Sequence, residues 1–515
     1  MSLELGEQLL AKIMYLTDLA TLAEIQQATF ATEQSVIAVI KPNNSEQVQS
    51  CIKIANQYKT AIYPISGGKN WGFGSRVPVT SNCAVLDLSK LNKILDYNEE
   101  LAYITVEPGV TFRQACTFLK QQKSKFCVSA IGGSPDASVI GNTLERGNGT
   151  GPDSYSERLD HVCGLEVILP TGELINTGFG RFENAKTVRV SRWGVGPYCA
   201  GLFTQSNLGI VTKMTMWLMP IPEYLQIFNC IVESTPKLSH LLDAVQDLML
   251  QGIVKGNSFV LWNCYKTINS KGRYPWKVMD GKVPLSLSKL KGVEPWLGIG
   301  KLYSADRDIG LAESKAVQSK LKKFADKLSF SVYDSKMLSD PPNIEDIKCT
   351  YWRKKHLIPI DMNPDRDNCG FIWLRCALPF DSKQIVSVIP KIESKVKAYK
   401  FEPDIAIRCL SGRLVYLVIA IIYDRDIAGE DEQAMKCYEE TLQLMLDNGY
   451  IPHRLGVQSM ETLPASDDDY GQFIQRLKQN LDPNDILAPG RYDFRNEWSN
   501  NSNTNSSKTY CLIDK

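Results

Sequence analysis

The sequence lacks the patterns that mark common metal sites and several large enzyme classes. It has only four histidines (His161, His240, His356 and His453), and no pair of them has the spacing of a zinc-binding helix. Its fourteen cysteines form no Cys-x-x-Cys pair, which argues against zinc ribbons, iron–sulfur clusters and thioredoxin-type redox motifs. Nucleophile-elbow, Walker and kinase signatures are also absent. We therefore expect no metal site.

Net charge and long apolar runs are equally scarce. The 58 Lys and Arg residues balance 57 Asp and Glu residues, so no global field would attract nucleic acid or an anionic membrane. No run reaches the roughly 18 apolar residues that span a bilayer, and residues 1–29 lack the basic flank and apolar core of a secretory signal. These features predict a cytoplasmic protein that binds neither nucleic acid nor membranes.

What the sequence does contain is a set of glycine-rich loops. The first follows the apolar run 61–63 and places Gly67, Gly68, Gly72 and Gly74 within eight residues. Such a loop is either an ordinary turn or a nest of backbone N–H groups that binds a phosphate or pyrophosphate.

The surrounding pattern is that of a β-α-β unit. Residues 35–40 predict a buried strand, and Ser45 is the expected cap of a helix with an apolar stripe that includes Val48 and Ile52. The glycines follow the second strand, and residues 76–79 contain a proline that prevents an immediate helix. The spacing is therefore wrong for a nicotinamide-type Rossmann fingerprint.

Two further glycine-rich stretches follow, at 132–135 and 141–152. Their combined length is too great for a simple connector, so we interpret them as a binding segment, with a disordered surface loop as the alternative. Thr111 predicts the cap of a helix over 112–121, and residues 165–169 and 173–175 predict a hairpin. The last glycine element spans 206–212 and leads into a strand.

From about residue 224 to 450 the pattern changes. Helical periodicity over 238–249, 311–328 and 431–448 alternates with apolar strands at 371–374 and 414–423. We interpret this part as an α+β domain that shapes a substrate pocket. Motifs return at 452–456 and 482–491, whereas residues 496–507 are rich in Asn and Ser and predict disorder.

Taken in order, these motifs resemble the FAD flavoprotein family of vanillyl-alcohol oxidase and p-cresol methylhydroxylase. The resemblance covers nearly the whole chain and rests on residues 64–74, 106–110, 141–147, 203–211, 217–220 and 482–491. It implies an α+β, two-domain fold of the vanillyl-alcohol oxidase type. The FAD-binding domain would comprise residues 1–223, completed by 451–495, with a substrate-capping domain at 224–450 and a disordered tail at 496–515.

The resemblance also implies the FAD contacts. Backbone amides of the first loop would bind the pyrophosphate, the second glycine cluster would hold the ribityl and flavin parts, and the third would line the adenine side. The implied cofactor-binding residues are Ser66, Gly67, Gly68, Lys69, Asn70, Trp71, Gly72, Pro108, Gly133, Ser134, Gly141, Asn142, Gly209, Ile210, Val211 and Arg491.

The implied chemistry is hydride transfer to flavin N5 from a carbon beside an aromatic ring or heteroatom. Arg454 would balance charge at the flavin N1–C2=O edge and face the substrate. Glu157 would lie near N5, as a base or as the stabiliser of a cationic or quinone-methide-like intermediate. Two family tyrosines that bind a phenolate are replaced here by Phe73 and His453. Three modes of substrate binding therefore remain open. They are a phenolate bound by Arg454 and His453, a carboxylate bound by Arg454, and a non-phenolic ring stacked on Phe73 and Trp71.

The residues that tether flavin covalently in relatives are also missing. Residues 414–417 contain no histidine, Asn363 stands at the tyrosine position, and Lys69 stands where bicovalent relatives have a histidine. Tyr416 is a possible substitute, but a lone strand tyrosine is more often a core residue. We expect non-covalent FAD.

The sequence thus predicts an FAD-dependent oxidase or dehydrogenase acting on a small, aromatic or carboxylate-bearing substrate. The electron acceptor would be O2 or a partner protein, and the family suggests a homodimer. Two alternatives remain: a 4-alkylphenol dehydrogenase or hydroxylase that reduces a cytochrome, and a flavin-binding protein whose pocket has lost catalysis.

Overall fold

A computed structural model describes residues 14–281, 293–462 and 468–493 of the chain. Within these residues no helix is long and apolar enough to cross a membrane. The predicted tail at 496–515 lies outside the described residues. The strands, in chain order, are β1 Met14–Leu16, β2 Val36–Lys41, β3 Ile62–Ile65, β4 Cys83–Asp87, β5 Ile94–Asn98, β6 Tyr103–Val106, β7 Phe126–Cys127, β8 Val162–Ile168, β9 Leu174–Asn176, β10 Ile210–Trp217, β11 Met219–Pro220, β12 Tyr224–Val232, β13 Phe259–Asn263, β14 Trp296–Ser304, β15 Lys327–Tyr333, β16 Cys369–Pro379, β17 Asp404–Cys409 and β18 Leu414–Asp424.

The α-helices also follow chain order. They are α1 Leu19–Ile25, α2 Ser45–Tyr58, α3 Phe112–Gln121, α4 Val139–Leu144, α5 Leu238–Leu250, α6 Cys264–Lys271, α7 Trp276–Met279, α8 Arg307–Leu321, α9 Ser382–Ala398, α10 Glu430–Asp447 and α11 Asp469–Leu481.

The first sheet has the strand order β1-β2-β4-β3 and supports the first glycine-rich loop. β4 pairs in parallel with β2 and β3, as expected of a β-α-β unit. Helix α2 buries its apolar stripe, including Val48 and Ile52, against this sheet. The cap prediction at Ser45 was wrong by one residue: Asn44 precedes the helix in an extended conformation and accepts a hydrogen bond from the Gln47 amide.

The second sheet is antiparallel, with the order β5-β6-β10-β8-β9. The β8–β9 hairpin and the Thr111 cap of α3 confirm the corresponding predictions. The glycine-rich stretch at 141–152 is not a loop along its whole length. Part of it forms the short helix α4, because Ser138 caps its first turn and Val139 and Ile140 are buried.

The third sheet carries seven strands in the order β15-β12-β14-β13-β17-β18-β16. Because side chains alternate across a strand, this sheet has two distinct faces. Ile405, Ile407 and Leu417 point into the main hydrophobic core. Ala406 and Val418 point to the other face and line a cavity. The sheet begins at Tyr224, beside the predicted domain boundary at residue 223, which stays a prediction.

One predicted helix was too long at its C-terminal end. The pattern over 311–328 predicted a single helix, but α8 ends at Leu321 and Lys327 already begins strand β15. Pairing with β12 explains the difference, because tertiary hydrogen bonds outweigh local helix propensity there.

The C-terminal segment returns to the first sheet. The Ile62 amide donates to the Ile486 carbonyl at 2.6 Å, and the Ala488 amide donates to the Ile62 carbonyl at 2.8 Å. Arg491 is thereby brought to the end of β3, where the glycine-rich loop starts.

Candidate active site

The glycine-rich loops and the third sheet enclose a cavity of about 770 Å³. Sixteen of the predicted site residues line it: Ser66, Gly67, Gly68, Lys69, Asn70, Trp71, Phe73, Gly133, Ser134, Gly141, Asn142, Gly209, Ile210, Val211, Arg454 and Arg491. The structure therefore brings together segments that are up to about four hundred residues apart in sequence.

The first loop supplies free backbone donors to this cavity. The amides of Gly67, Gly68, Lys69 and Asn70 have no acceptor within the described part of the chain. Gly68 adopts a positive φ of 64°, which glycine tolerates without strain. A row of unpaired N–H groups beside the Lys69 ammonium is the donor set that a pyrophosphate requires.

Gly72 and Pro108 do not line the cavity but support it. The Gly72 amide donates to the Thr29 hydroxyl at 2.9 Å, and its carbonyl accepts from the Trp373 amide at 3.2 Å. A side chain at Gly72 would approach the Trp373 ring to 2.6 Å, so glycine is required for this contact. The Pro108 carbonyl accepts from the Ser138 hydroxyl at 2.6 Å and so fixes the start of α4.

Arg454 lies in the cavity wall, and its guanidinium already has three partners in the protein. Its guanidinium carbon is 4.3 Å from the centre of the Phe73 ring, and its Nη2 donates to Asn70 Oδ1. Its Nε lies 3.3 Å from a carboxylate oxygen of Glu145. Two predicted substrate contacts, Arg454 and Phe73, are therefore stacked on each other, and both lie next to the first glycine-rich loop.

Glu145 is a cavity residue that the sequence analysis did not single out. It pairs with Arg454 and Arg491, and Arg491 Nη1 donates to the Tyr63 hydroxyl at 2.7 Å. Burial raises the pKa of Glu145, but the two guanidinium groups outweigh burial and hold it below its usual value. Glu145 is thus ionised and fixes both arginines.

Glu157 lies one layer behind the cavity. Its Oε1 accepts from Asn148 Nδ2 at 2.5 Å, and Asn148, not Glu157, lines the wall. Burial raises the pKa of Glu157, against the opposing effect of the Asn148 hydrogen bond. Glu157 therefore does not touch the cavity itself, but its charge attracts the lining guanidiniums of Arg375 and Arg408.

His453 is also outside the wall. Its ring stacks on Tyr416 with centroids 3.9 Å apart, and its carbonyl accepts from Gln205 Nε2 at 3.0 Å. Burial and the neighbouring guanidiniums of Arg375 and Arg454 hold its pKa well below the ordinary value. Tyr416 is covered by this stack.

Two arginines that the sequence analysis missed face the cavity from the third sheet. Arg375 lies on β16 and Arg408 on β17, and both strands otherwise carry mostly apolar residues. A lone arginine within a buried apolar strand is the sequence signal that identifies them, because an unneeded charge is rarely buried. Burial lowers the pKa of Arg375 to about 9 and also lowers that of Arg408.

Aromatic rings line the same face of the third sheet. Trp262 on β13 and Trp373 on β16 line the cavity, and the Lys266 ammonium lies 5.9 Å and 5.3 Å from the centres of their rings. Asp404, behind the wall, pairs with Lys266 at 3.1 Å. These flat apolar surfaces suit an aromatic ring.

Comparison with known proteins agrees with this arrangement. Residues 36–178 match the family described as FAD binding domain. The chain is 42% identical to the 1'-carboxy-chondrochloren decarboxylase of Chondromyces crocatus, over 94% of this chain and 95% of that protein. It is 30% identical to the flavoprotein subunit of the hydroxylating 4-cresol dehydrogenase of Pseudomonas putida, over 90% and 89%. A crystal structure of p-cresol methylhydroxylase with substrate bound superposes with a TM-score of 0.86 at 25% identity, covering 96% of this chain and 99% of that one.

The chain belongs to the vanillyl-alcohol oxidase and p-cresol methylhydroxylase family. It is an FAD-dependent oxidoreductase with the family's two-domain fold, as predicted. The donor set of its first loop fits the FAD pyrophosphate, with Gly67 to Asn70 as the anion nest.

Other parts of this oxidoreductase also suit FAD. Gly209 cannot carry a side chain, since a Cβ there would approach Val167 to 2.6 Å, and it lines the cavity beside Ile210 and Val211. Arg491 and Arg454 bring fixed positive charge to the wall, which favours a cofactor that becomes more negative on reduction.

Proposed function

We propose that this oxidoreductase removes a hydride from a carbon beside an aromatic ring, in a substrate that also carries a carboxylate, and releases that carboxylate as CO2. The observation that carries the proposal is the charge of the cavity. Seven basic side chains (Lys69, Lys266, Lys301, Arg375, Arg408, Arg454 and Arg491) line it, and Glu145 is the one acidic residue among the described lining residues. Asp404, which lies behind the cavity wall, forms an ion pair with Lys266. The FAD diphosphate adds two negative charges, whereas Arg375 and Arg408 have no carboxylate oxygen within 4.0 Å among the described residues, so their positive charge remains for an anionic substrate.

The proposed reaction balances in atoms and electrons. A 3-arylpropanoate loses hydride from its benzylic carbon, and the electron pair of the C–COO⁻ bond forms the new C=C bond. The products are an arylalkene, CO2 and a hydride. When bound, FAD supplies the acceptor for that hydride.

Protein groups have separate roles in this proposal. Trp262 and Trp373 would hold the aromatic ring, and Arg375 would attract the carboxylate. Glu157, acting through Asn148, would tune the electrostatic field next to the reacting carbon.

Two relatives support different parts of the proposal. The Chondromyces crocatus relative is a decarboxylase of a carboxylated substrate, and the Pseudomonas putida relative is a dehydrogenase of cresol. Hydride removal beside an aromatic ring, coupled to loss of CO2, combines both reactions on one family fold.

A 4-alkylphenol dehydrogenase is the second candidate, favoured by the similarity to 4-cresol dehydrogenase. Against it, Phe73 has no hydroxyl, and the His453 ring stacks on Tyr416 outside the cavity wall. A phenolate would lose charge-assisted hydrogen bonds worth about 1.5–3 kcal/mol each. A flavin-binding protein without catalysis is the third candidate.

The test is anaerobic mixing of the FAD-loaded protein with 3-phenylpropanoate, 3-(4-hydroxyphenyl)propanoate and p-cresol. Bleaching of the flavin absorption band by an arylpropanoate, with one CO2 and one arylalkene formed per flavin reduced, is the expected result. Bleaching by p-cresol alone would favour the second candidate. If no compound in a wider set of arylpropanoates and alkylphenols bleaches the flavin, the protein is not the proposed enzyme.

We further propose that FAD is bound non-covalently and that the electron acceptor is O2 or a partner protein. Reoxidation of the bleached enzyme in air within seconds identifies O2, whereas a requirement for an added acceptor identifies a protein partner. A homodimer is proposed from family membership alone. We propose a reducing, cytoplasmic location because none of the thirteen described cysteines forms a disulfide.

A further inference from the structure

Arg375 and Arg408 are each held by an asparagine instead of a carboxylate. Arg375 Nη2 donates to Asn148 Oδ1 at 2.8 Å, and Arg408 Nη1 donates to Asn257 Oδ1 at 2.9 Å. Within the described chain no carboxylate oxygen lies within 4.0 Å of either guanidinium. A neutral amide orients a guanidinium without compensating its charge.

Three other cations of the cavity differ in this respect. Lys266 pairs with Asp404, and Arg454 and Arg491 share Glu145. Glu157 attracts both guanidiniums from beyond contact distance, but burial outweighs this attraction and still lowers the pKa values of Arg375 and Arg408. The arrangement is favourable once an anion binds between them.

The two asparagines are themselves fixed by one short segment. Asn257 Nδ2 donates to the carbonyls of Gly149 and Gly151, at 2.9 Å and 3.0 Å, and Asn148 directly precedes Gly149. Residues 148–151 therefore position both arginines, although the arginines themselves lie on β16 and β17 of the third sheet.

The strand register places both arginines on the cavity face. Arg408 pairs with Tyr416 on β18, and Arg375 pairs with Val418 two residues further along the same strand. Residues two apart on a strand point to one side, so both guanidiniums approach the cavity above β18. Arg375 Nε is buried and has no hydrogen-bond partner among the described residues, which leaves one donor of its fork available.

We propose that Arg375 and Arg408 form a carboxylate clamp that selects anionic aromatic substrates and orients the C–COO⁻ bond. The clamp rests on the proposed function and deepens it by naming the subsite and the ligand class. Guanidinium groups suit this task because their planar forks match a carboxylate geometrically. The tryptophans on the same face would then fix the ring while the clamp fixes the acid group.

The test compares binding of 3-phenylpropanoate and 3-phenylpropanamide, which differ in charge at the acid group. Tryptophan fluorescence reports binding, because Trp262 and Trp373 line the cavity. The FAD-loaded wild type is expected to bind the carboxylate at least about tenfold more tightly than the amide, from one charge-assisted hydrogen bond or more. In Arg408→Gln and Arg375→Gln the preference should fall below about threefold, while Arg408→Lys should retain part of it because charge is kept.

Arg307→Gln is the matched control, since it removes the same charge at the exposed start of α8 and should leave the preference unchanged. FAD content and the melting temperature show that each variant is folded. Equal binding of both compounds by the wild type, or an undiminished preference in both folded Gln variants, would overturn the clamp. If the wild type shows the preference but yields no CO2 with any arylpropanoate, the clamp stands and the proposed decarboxylation fails.

Discussion

The imidazole of His453 lies flat on the phenol ring of Tyr416, with 3.9 Å between the ring centres and an interplanar angle of 4°. Burial, and after it the positive charges of Arg375 and Arg454, disfavour protonation of the imidazole and lower its pKa. The sequence analysis predicted His453 as a substrate contact, and here its ring instead covers a strand residue. The stack therefore separates a sequence-predicted substrate contact from the cavity itself.

A neutral His453 makes stability depend on pH. Its pKa is depressed in the folded protein, so the unfolded chain binds the proton first as pH falls below about 6.5. Stability should be unaffected by this group above pH 6.5 and should fall by up to about 1.4 kcal/mol per pH unit below it. His453→Phe keeps the stacked ring and removes the proton site. Its melting temperature should fall less between pH 6.5 and 5 than that of the wild type; identical slopes would contradict the assignment.

Glu157→Gln tests the predicted role of the carboxylate behind Asn148. The amide oxygen of Gln still accepts from Asn148, so the position of Arg375 is kept while the charge is lost. Anaerobic flavin bleaching should slow strongly, with little change in the binding of 3-phenylpropanoate. Glu173→Gln, at an exposed hairpin position, provides the charge control. An unchanged bleaching rate would remove Glu157 from the mechanism.

Asp365 connects the first glycine-rich loop to the segment before β16. Its carboxylate accepts from Trp71 Nε1 at 3.0 Å and from the Ser75 hydroxyl at 2.7 Å. Asp365→Ala leaves both buried donors unpaired, at about 1–3 kcal/mol each, and should lower the melting temperature and weaken FAD binding. FAD release on dilution, followed by flavin fluorescence, measures the second effect.

The matched control for this variant is Asp361→Ala. Asp361 is an exposed partner of Arg366, so its loss should change stability by less than about 1 kcal/mol. Wild-type FAD affinity in Asp365→Ala would show that the loop is positioned without this contact.

Acid precipitation tests the attachment of FAD. Strand β18 carries no histidine, and Asn363 cannot provide a phenol oxygen. The flavin colour should therefore appear in the supernatant after precipitation with trichloroacetic acid. Colour that stays with the pellet would show a covalent bond, and Tyr416→Phe would then test the tyrosine that is available.

The sequence by itself determined the cofactor part of this protein. The glycine positions of the first loop follow from local backbone geometry, since positive φ values and close approach can be anticipated from residue type. Motif order then identified the family, and the helices and strands with strong periodicity followed from their apolar patterns. The end of α8 did not follow from the apolar pattern, because it depends on the pairing of β15 with β12, which is a long-range interaction.

The substrate part was decided only by the tertiary structure. Arg375, Arg408, Asn148 and Asn257 are scattered over more than two hundred residues, and no local pattern connects them. Strand register puts the two arginines on one face, and folding gives them amide partners instead of carboxylates. Whether a buried charge is compensated depends on which distant side chain reaches it. That is a property of three-dimensional packing, which local sequence does not encode.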